Sequence, residues 1–168
     1  MTPGFIGTGT ITSALVTGLC TSPHPPASIW VSQRNAQKAA KLETAFNAVR
    51  IGADNQDVLD HADVVVLAVL PQDAKTILEP LRFRADQCVV TLLAGTPLPQ
   101  IHALVAPADR TIRAVPLPSA EKHVGPIALY PGDPAAEALF QDLGTLIVAR
   151  EESELDKFLI ITSLMAPY

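Results

Sequence analysis

The chain has 168 residues, of which 48% are hydrophobic and 17% are charged, and its formal net charge at pH 7 is −5. This length supports one domain with a complete hydrophobic core, and the composition excludes a disordered chain. The acidic balance argues against sequence-independent binding of nucleic acid, because such binding needs a basic face.

Cysteine usage and hydropathy narrow the cellular setting. Cys20 and Cys88 form neither a disulfide framework nor a metal motif. Residues 1–20 lack the basic start of a secretory signal, and no apolar run reaches the roughly 20 residues that span a bilayer. We therefore expect a cytoplasmic protein with reduced thiols, no bound metal and no membrane partner.

The first stretch of the chain predicts a phosphate-binding loop. A short apolar strand runs into Gly7-Thr8-Gly9, and a helix follows from about Thr10. Gly7 permits a tight turn, and Gly9 has no side chain to keep a pyrophosphate from the backbone. The helix then points free N–H groups at that phosphate. The third glycine of the dinucleotide fingerprint is absent and Thr12 stands in its place, so an ordinary glycine turn is the alternative.

Further strands and helices alternate along the rest of the chain. Apolar and β-branched runs predict strands at Ile29–Val31, Val49–Ile51, 63–69, 88–94, 111–115, 127–130 and 145–149. Helical spacing of apolar residues predicts helices at 36–46 behind an Asn35 cap, 55–62, 71–81, 97–105 behind a Thr96 cap, 134–143 and 151–166.

This alternation predicts an α/β fold of the Rossmann type. The run 63–69 is continuously apolar, as in a parallel strand covered on both faces. We expect a doubly wound, mainly parallel sheet with helices on both faces, plus a C-terminal helix. Ligands of such sheets bind beyond the carboxyl ends of the strands. Five segments fall at that edge: 7–10, 32–35, 68–72, 94–96 and 116–118.

The end of the second strand predicts the cofactor. Sites that prefer NAD usually carry an acidic residue there, which bonds the ribose 2′-hydroxyl. This chain instead has Ser32-Gln33-Arg34-Asn35. Arg34 can pair with a 2′-phosphate, and Ser32 and Asn35 can add hydrogen bonds. We therefore expect NADP (NADPH) rather than NAD, although Arg34 could be a solvated charge and Asn35 a simple helix cap.

Several motifs together resemble the N-terminal domain of pyrroline-5-carboxylate reductase. The resemblance covers essentially the whole chain and has no single specific motif. Its pieces are Gly4-Phe5-Ile6-Gly7-Thr8-Gly9, Val31-Ser32-Gln33-Arg34-Asn35, residues 63–72, Leu93-Ala94-Gly95-Thr96 and Arg113-Ala114-Val115-Pro116.

The resemblance implies an NADPH-dependent oxidoreductase that transfers hydride to a cyclic imine in proline biosynthesis. It implies a dinucleotide-binding domain at 1–150 and, at 151–168, the start of the first helix of a truncated C-terminal helical domain. That second domain would make the full-length form a homodimer or larger, and this chain alone would have little activity. The substrate would be a small molecule.

The resemblance also assigns cofactor-binding residues by position. Gly7, Thr8, Gly9, Thr10 and Ile11 would hold the pyrophosphate, and Ser32, Arg34 and Asn35 the adenosine ribose and its phosphate. Asn55 would lie near the adenosine half, Ala68, Val69 and Pro71 would border the cofactor, and Ala94 and Gly95 would lie toward the nicotinamide.

Two departures keep other functions open. Leu117 stands where the family has a polar residue, and the segment 163–167 is bulkier and more apolar than the family's substrate-carboxylate segment. The alternatives are a related NADP-dependent oxidoreductase with another substrate, such as a deazaflavin-linked or 3-hydroxyacid enzyme, and a catalytically silent nucleotide-binding module. No catalytic residue is assigned, and His123 is the candidate proton donor to test.

Overall fold

Eight strands form one sheet in a computed structural model that describes residues 1–165. The strands are β1 (Pro3–Ile6), β2 (Ile29–Val31), β3 (Val49–Ile51), β4 (Val64–Leu67), β5 (Cys88–Thr91), β6 (Arg110–Val115), β7 (Pro126–Tyr130) and β8 (Thr145–Val148). The helices are α1 (Thr10–Thr21), α2 (Ala36–Ala45), α3 (Asn55–His61), α4 (Ala74–Leu78), α5 (Leu98–Val105), α6 (Pro134–Phe140) and α7 (Glu152–Met165). Short 3-10 turns cover Pro71–Asp73 and Pro118–Lys122.

The strand order is β3-β2-β1-β4-β5-β6-β7-β8. The first six strands in the chain pair in parallel, whereas β7 is antiparallel to β6 and β8 is parallel to β7. This order confirms the predicted Rossmann-type sheet, with β7 and β8 as an added edge. The order of the strands reverses between β1 and β4, so the ligand crevice of this fold opens there.

Helices cover both faces of the sheet, as predicted. One core cluster packs α1, α2 and α6 onto the sheet through buried residues such as Phe5, Leu15 and Phe140. The other packs α3, α4 and α5 through residues such as Ile6, Leu59 and Ile101. Because adjacent residues of β1 enter opposite clusters, its short strand is buried on both sides.

Several predicted boundaries shift. The strand predicted at 63–69 is shorter, and the helix predicted from Pro71 is a 3-10 turn followed by the five-residue α4. Thr96 does not cap α5. Pro97, with φ −62° and ψ 146°, is the flanking residue, and the Leu98 N–H donates instead to Glu152 Oε1 at 2.9 Å. The predicted cap was wrong because a distant carboxylate supplies the acceptor.

The start of α7 is held on the sheet by an ion-pair cluster and a small apolar contact. Leu155 is fully buried against Val115 and Ala128. Arg113, 3% exposed, donates to Asp156 Oδ1 at 2.7 Å and lies 3.4 Å from Glu152 Oε1. The later turns of α7 expose Ile160, Ile161 and Leu164. The predicted end of this helix at residue 166 lies outside the described residues, as do positions 167 and 168.

Candidate functional site

The loop between β1 and α1 has a conformation that requires glycine at its first position. Gly7 has φ +101°, and a Cβ there would lie 2.5 Å from the Ala68 carbonyl oxygen. The buried Thr12 hydroxyl donates to the Gly7 carbonyl at 2.7 Å. Thr12, in place of the missing third glycine, thus fastens the turn to the first turn of α1.

A buried pair of side chains ties this loop to the end of β2. The Gly7 N–H donates to Ser32 Oγ at 2.9 Å, and the Thr8 hydroxyl donates to the Ser32 carbonyl. Ser32 is 0% exposed and Thr8 is 2% exposed. Both residues therefore contribute by shaping the loop, since an unmade bond at the buried Gly7 N–H would cost free energy.

Gly9 leaves open space at the start of α1. Its φ is −98°, no side chain caps the helix there, and a Cβ at Gly9 would meet no atom within 4 Å. The first N–H groups of an α-helix have no partner within the helix and carry its positive dipole end. The loop and the twelve-residue α1 therefore fit a pyrophosphate bound by main-chain amides.

A cavity of about 260 Å³ lies on this loop at the carboxyl ends of β1, β2 and β4. It brings together residues from three segments that the sequence placed at one edge of the sheet. The lining residues are Gly7, Thr8, Gly9, Arg34, Asn35, Ala68, Val69 and Leu70. Seven of the predicted cofactor-binding residues thus share one cavity.

Two cations flank the cavity, and only Arg34 was predicted from the sequence. Arg34 reaches Asp73 Oδ2 at 2.6 Å. Lys38 Nζ donates to Thr10 Oγ1 at 3.0 Å, at the start of α1. The sequence position of Lys38 could have indicated its role, because a cation in the first turn of a helix opposes the helix dipole and is unfavourable there without another function. Lys38 occupies that unfavourable position in α2, behind the Asn35 cap.

One predicted lining residue, Asn35, also caps a helix, and two other predicted residues lie outside this cavity. Asn35 Oδ1 accepts from the Lys38 N–H at 3.1 Å, so part of this side chain serves as the cap of α2. Pro71 is exposed and begins the 3-10 turn after β4. Asn55 lines a separate groove of about 770 Å³ with residues such as Thr76 and Arg82.

Two further cavities continue along the same edge of the sheet. Ile11 and Ala94 line one of about 120 Å³, together with Pro116 and Leu159. Gly95, whose φ is +71°, lines another of about 390 Å³ beside Arg113. Ala94 and Gly95, the residues predicted near the nicotinamide, therefore lie between the carboxyl ends of β5 and β6 and helix α7.

His123 does not reach these cavities. Its ring nitrogen Nε2 lies 2.8 Å from the Gly18 carbonyl oxygen and 3.3 Å from Thr21 Oγ1, near the C-terminal end of α1. A carbonyl oxygen can only accept, so Nε2 carries a proton that is used to hold this helix end. The candidate proton donor His123 therefore lies at the C-terminal end of α1, away from the cavity on Gly7–Gly9.

Both cysteine side chains are protonated thiols at neutral pH. Burial raises the pKa of Cys20 to about 11. Burial, and then the nearby Asp133 carboxylate, raises the pKa of Cys88 to about 12.

Within residues 1–165, no group of three or more His, Cys, Asp or Glu side chains is placed to hold a metal ion. The helices of that same part of the chain are too short or too polar to cross a membrane.

Comparison with known proteins identifies the family. Residues 2–95 match the family described as NADP oxidoreductase, coenzyme F420-dependent. The chain belongs to this family. The matched residues contain the whole 260 Å³ cavity and the Ala94 and Gly95 positions. The cofactor predicted from Arg34, NADP, agrees with the family's description.

Individual relatives confirm the resemblance stated from the sequence motifs. Pyrroline-5-carboxylate reductase of Pseudomonas aeruginosa is 30% identical over 147 residues, which are 86% of this chain and 54% of that protein. The structure of a pyrroline-5-carboxylate reductase from Coxiella burnetii is 27% identical, with a TM-score of 0.80 over 97% of this chain and 68% of that one. This chain thus spans about half the length of the Pseudomonas protein.

A third comparison extends the fold alone. A reductive aminase from Aspergillus terreus, solved in complex with NADPH and ethyl-5-oxohexanoate, has a TM-score of 0.75 at 17% identity. The match covers 97% of this chain and 61% of that one. The reductive aminase therefore shares the fold of this chain.

Proposed function

We propose that this chain is the NADPH-binding part of an oxidoreductase that reduces a C=N bond, of the pyrroline-5-carboxylate reductase type. The carrying observation is the 260 Å³ cavity on Gly7–Gly9 with Arg34 at its side and no acidic residue at the end of β2. Family membership and the relatives' names support the same reaction class. The substrate assignment that follows is pyrroline-5-carboxylate, whose reduction forms proline.

The residues divide the binding task by their chemistry. The amides at the start of α1 and the bare backbone of Gly9 would hold the pyrophosphate, with Lys38 adding charge at Thr10. Arg34 would pair with the 2′-phosphate. Ile11, Ala94 and Pro116 would form the apolar wall beside the nicotinamide, where exclusion of water favours hydride transfer.

The bound cofactor supplies the hydride, and the protein supplies position and electrostatics. In the described part of the chain, the ionisable side chain that lines the 120 Å³ cavity is Arg113. It is buried and paired with Glu152 and Asp156. We therefore expect the proton donor to come from outside this cavity wall.

The domain division at residue 150 belongs to this proposal. The segment from 151 would begin a helical second domain whose first helix is α7. It docks on β6 through Arg113 and exposes apolar residues further along. The full-length protein would complete the substrate site and dimerise through that domain, so we expect the 168-residue chain alone to bind NADPH with little turnover.

Titration with NADPH and NADH, followed by nicotinamide fluorescence, tests the cofactor assignment. A charge-assisted bond contributes about 1.5–3 kcal/mol, so Arg34→Ala should weaken NADPH binding by about 10- to 100-fold. NADH binding should change little. Arg150→Ala is the matched control, because it removes one exposed cation near α7, away from the cavity. Binding of neither coenzyme by the wild-type chain would refute the proposal.

Leu117 favours a second candidate, a related NADP-dependent oxidoreductase with another substrate. The complete natural protein with NADPH would separate the cases. Consumption of NADPH on addition of pyrroline-5-carboxylate supports the first assignment. Consumption only with other imines, keto acids or hydroxy acids supports the second. Tight binding without turnover on the whole panel would identify a silent nucleotide-binding module.

A further inference from the structure

Asp73 pairs with the cation that would read the 2′-phosphate. It lies at the end of the 3-10 turn after β4 and reaches across the crevice to Arg34, on the loop after β2. Asp73 Oδ2 and Arg34 Nη2 are 2.6 Å apart, with side-chain exposures of 38% and 43%. The ion pair thus stands at the edge of the cavity, within reach of solvent and ligand.

The Asp73 carboxylate has no other structural task in residues 1–165. It makes no capping bond to α4, although Asp73 is the residue that precedes this helix. The hydrogen bond it accepts there comes from Arg34. Capping aspartates elsewhere in the chain behave differently, since Asp54 and Asp133 both accept from helix N–H groups. The position of Asp73 is therefore tied to the Arg34 guanidinium.

A 2′-phosphate on Arg34 would meet this carboxylate in either possible arrangement. If it takes the Nη2 edge, Asp73 must give up its ion pair. If it takes another edge of the guanidinium, a group of charge about −1.5 to −2 lies beside an unmoved carboxylate. Both arrangements oppose the phosphate, whereas a 2′-hydroxyl has no charge to be repelled.

Resting on the proposed NADPH function, we propose that Asp73 is a specificity-determining residue that competes with the 2′-phosphate for Arg34. It lowers the preference for NADPH over NADH below the level that Arg34 alone would give. The competition makes 2′-phosphate recognition dependent on ionic strength, because both partners of the pair are exposed to solvent.

Binding of Asp73→Asn tests this role. Adenosine 2′,5′-bisphosphate and adenosine 5′-phosphate are compared by calorimetry, together with NADPH and NADH. We expect Asp73→Asn to tighten the two 2′-phosphorylated ligands about fivefold, which corresponds to about 1 kcal/mol. The two ligands without that phosphate should change less than about twofold, and the gain should shrink in about 0.5 M NaCl.

Asp86→Asn is the matched control. It also removes one carboxylate that is paired with an arginine, Arg84, but it lies before β5 at the opposite edge of the sheet. This control should leave all four affinities unchanged.

Three other results would contradict the proposed role of Asp73, and each has a different meaning. Weaker binding of the 2′-phosphorylated ligands by Asp73→Asn would show that Asp73 orients Arg34, and would overturn the competition. Unchanged selectivity, with wild-type binding intact, would overturn it as well. Failure of the wild-type chain to bind any of the four ligands would instead refute the proposed function and this inference with it.

Discussion

Replacing Gly9 by alanine should separate cofactor binding from folding. A Cβ at Gly9 would meet no protein atom within 4 Å, and the backbone there has φ −98° and ψ −166°. Alanine adopts this extended conformation without strain. We therefore expect the free energy of unfolding to change by less than about 1 kcal/mol, because alanine restricts the unfolded chain but is a poorer N-cap of α1 than glycine.

The same methyl group should obstruct the cofactor. It would stand in the space above the start of α1, where the pyrophosphate must approach the backbone closely. Forcing an additional methyl group into a packed contact costs about 1–3 kcal/mol, so NADPH affinity should fall by about 10- to 100-fold. NADH should lose as much, because the pyrophosphate is common to both coenzymes.

Calorimetric titration, paired with urea unfolding of the same samples, measures the two effects. Gly7→Ala is the contrasting variant. With φ +101° and a Cβ 2.5 Å from the Ala68 carbonyl oxygen, it should lower the free energy of unfolding by about 2–4 kcal/mol. A folded Gly9→Ala chain that binds NADPH as tightly as wild type would refute the placement of the pyrophosphate on this loop.

Two further predictions concern buried charges. Arg113→Met should lower the free energy of unfolding by about 2 kcal/mol, because Glu152 and Asp156 lose the cation that holds α7. The same loss should speed tryptic cleavage after Lys157. Equal rates of this cleavage in Arg113→Met and in an Arg150→Met control would contradict the prediction. Burial opposes ionisation of Asp133, but hydrogen bonds from Arg110 and the α6 N–H groups outweigh it and hold its pKa below 3.8. This stabilisation is present above the ordinary pKa of the unfolded carboxyl group and is lost as the pH falls through the lowered pKa of the folded state. Asp133→Asn keeps a capping side chain and should cost about 1–2 kcal/mol in urea unfolding at neutral pH, with the difference from wild type shrinking in acid; a pH-independent difference would contradict this.

Local sequence chemistry was sufficient for most of the fold. The apolar run at 63–69, the Asn35 cap and the glycine turn at Gly7–Gly9 predicted the elements and their order. Their alternation predicted which edge of the sheet carries the crevice, because parallel strands place all their carboxyl ends together. Seven predicted cofactor residues consequently share one cavity.

Tertiary structure decided what depends on residues far apart in the chain. Glu152, not Thr96, satisfies the first N–H of α5, and His123 is held against α1. The Ser32 hydroxyl accepts a hydrogen bond from the Gly7 N–H, Lys38 donates to the Thr10 hydroxyl, and Asp73 forms an ion pair with Arg34.

Sequence by itself determined the local conformations and the order of strands and helices, because periodicity, caps and glycine turns act over a few residues. Only the packed sheet decided which side chains meet across the crevice. Such contacts join residues 25 to 39 positions apart in the chain, as in Gly7 with Ser32 and Arg34 with Asp73, and local patterns carry no information about them.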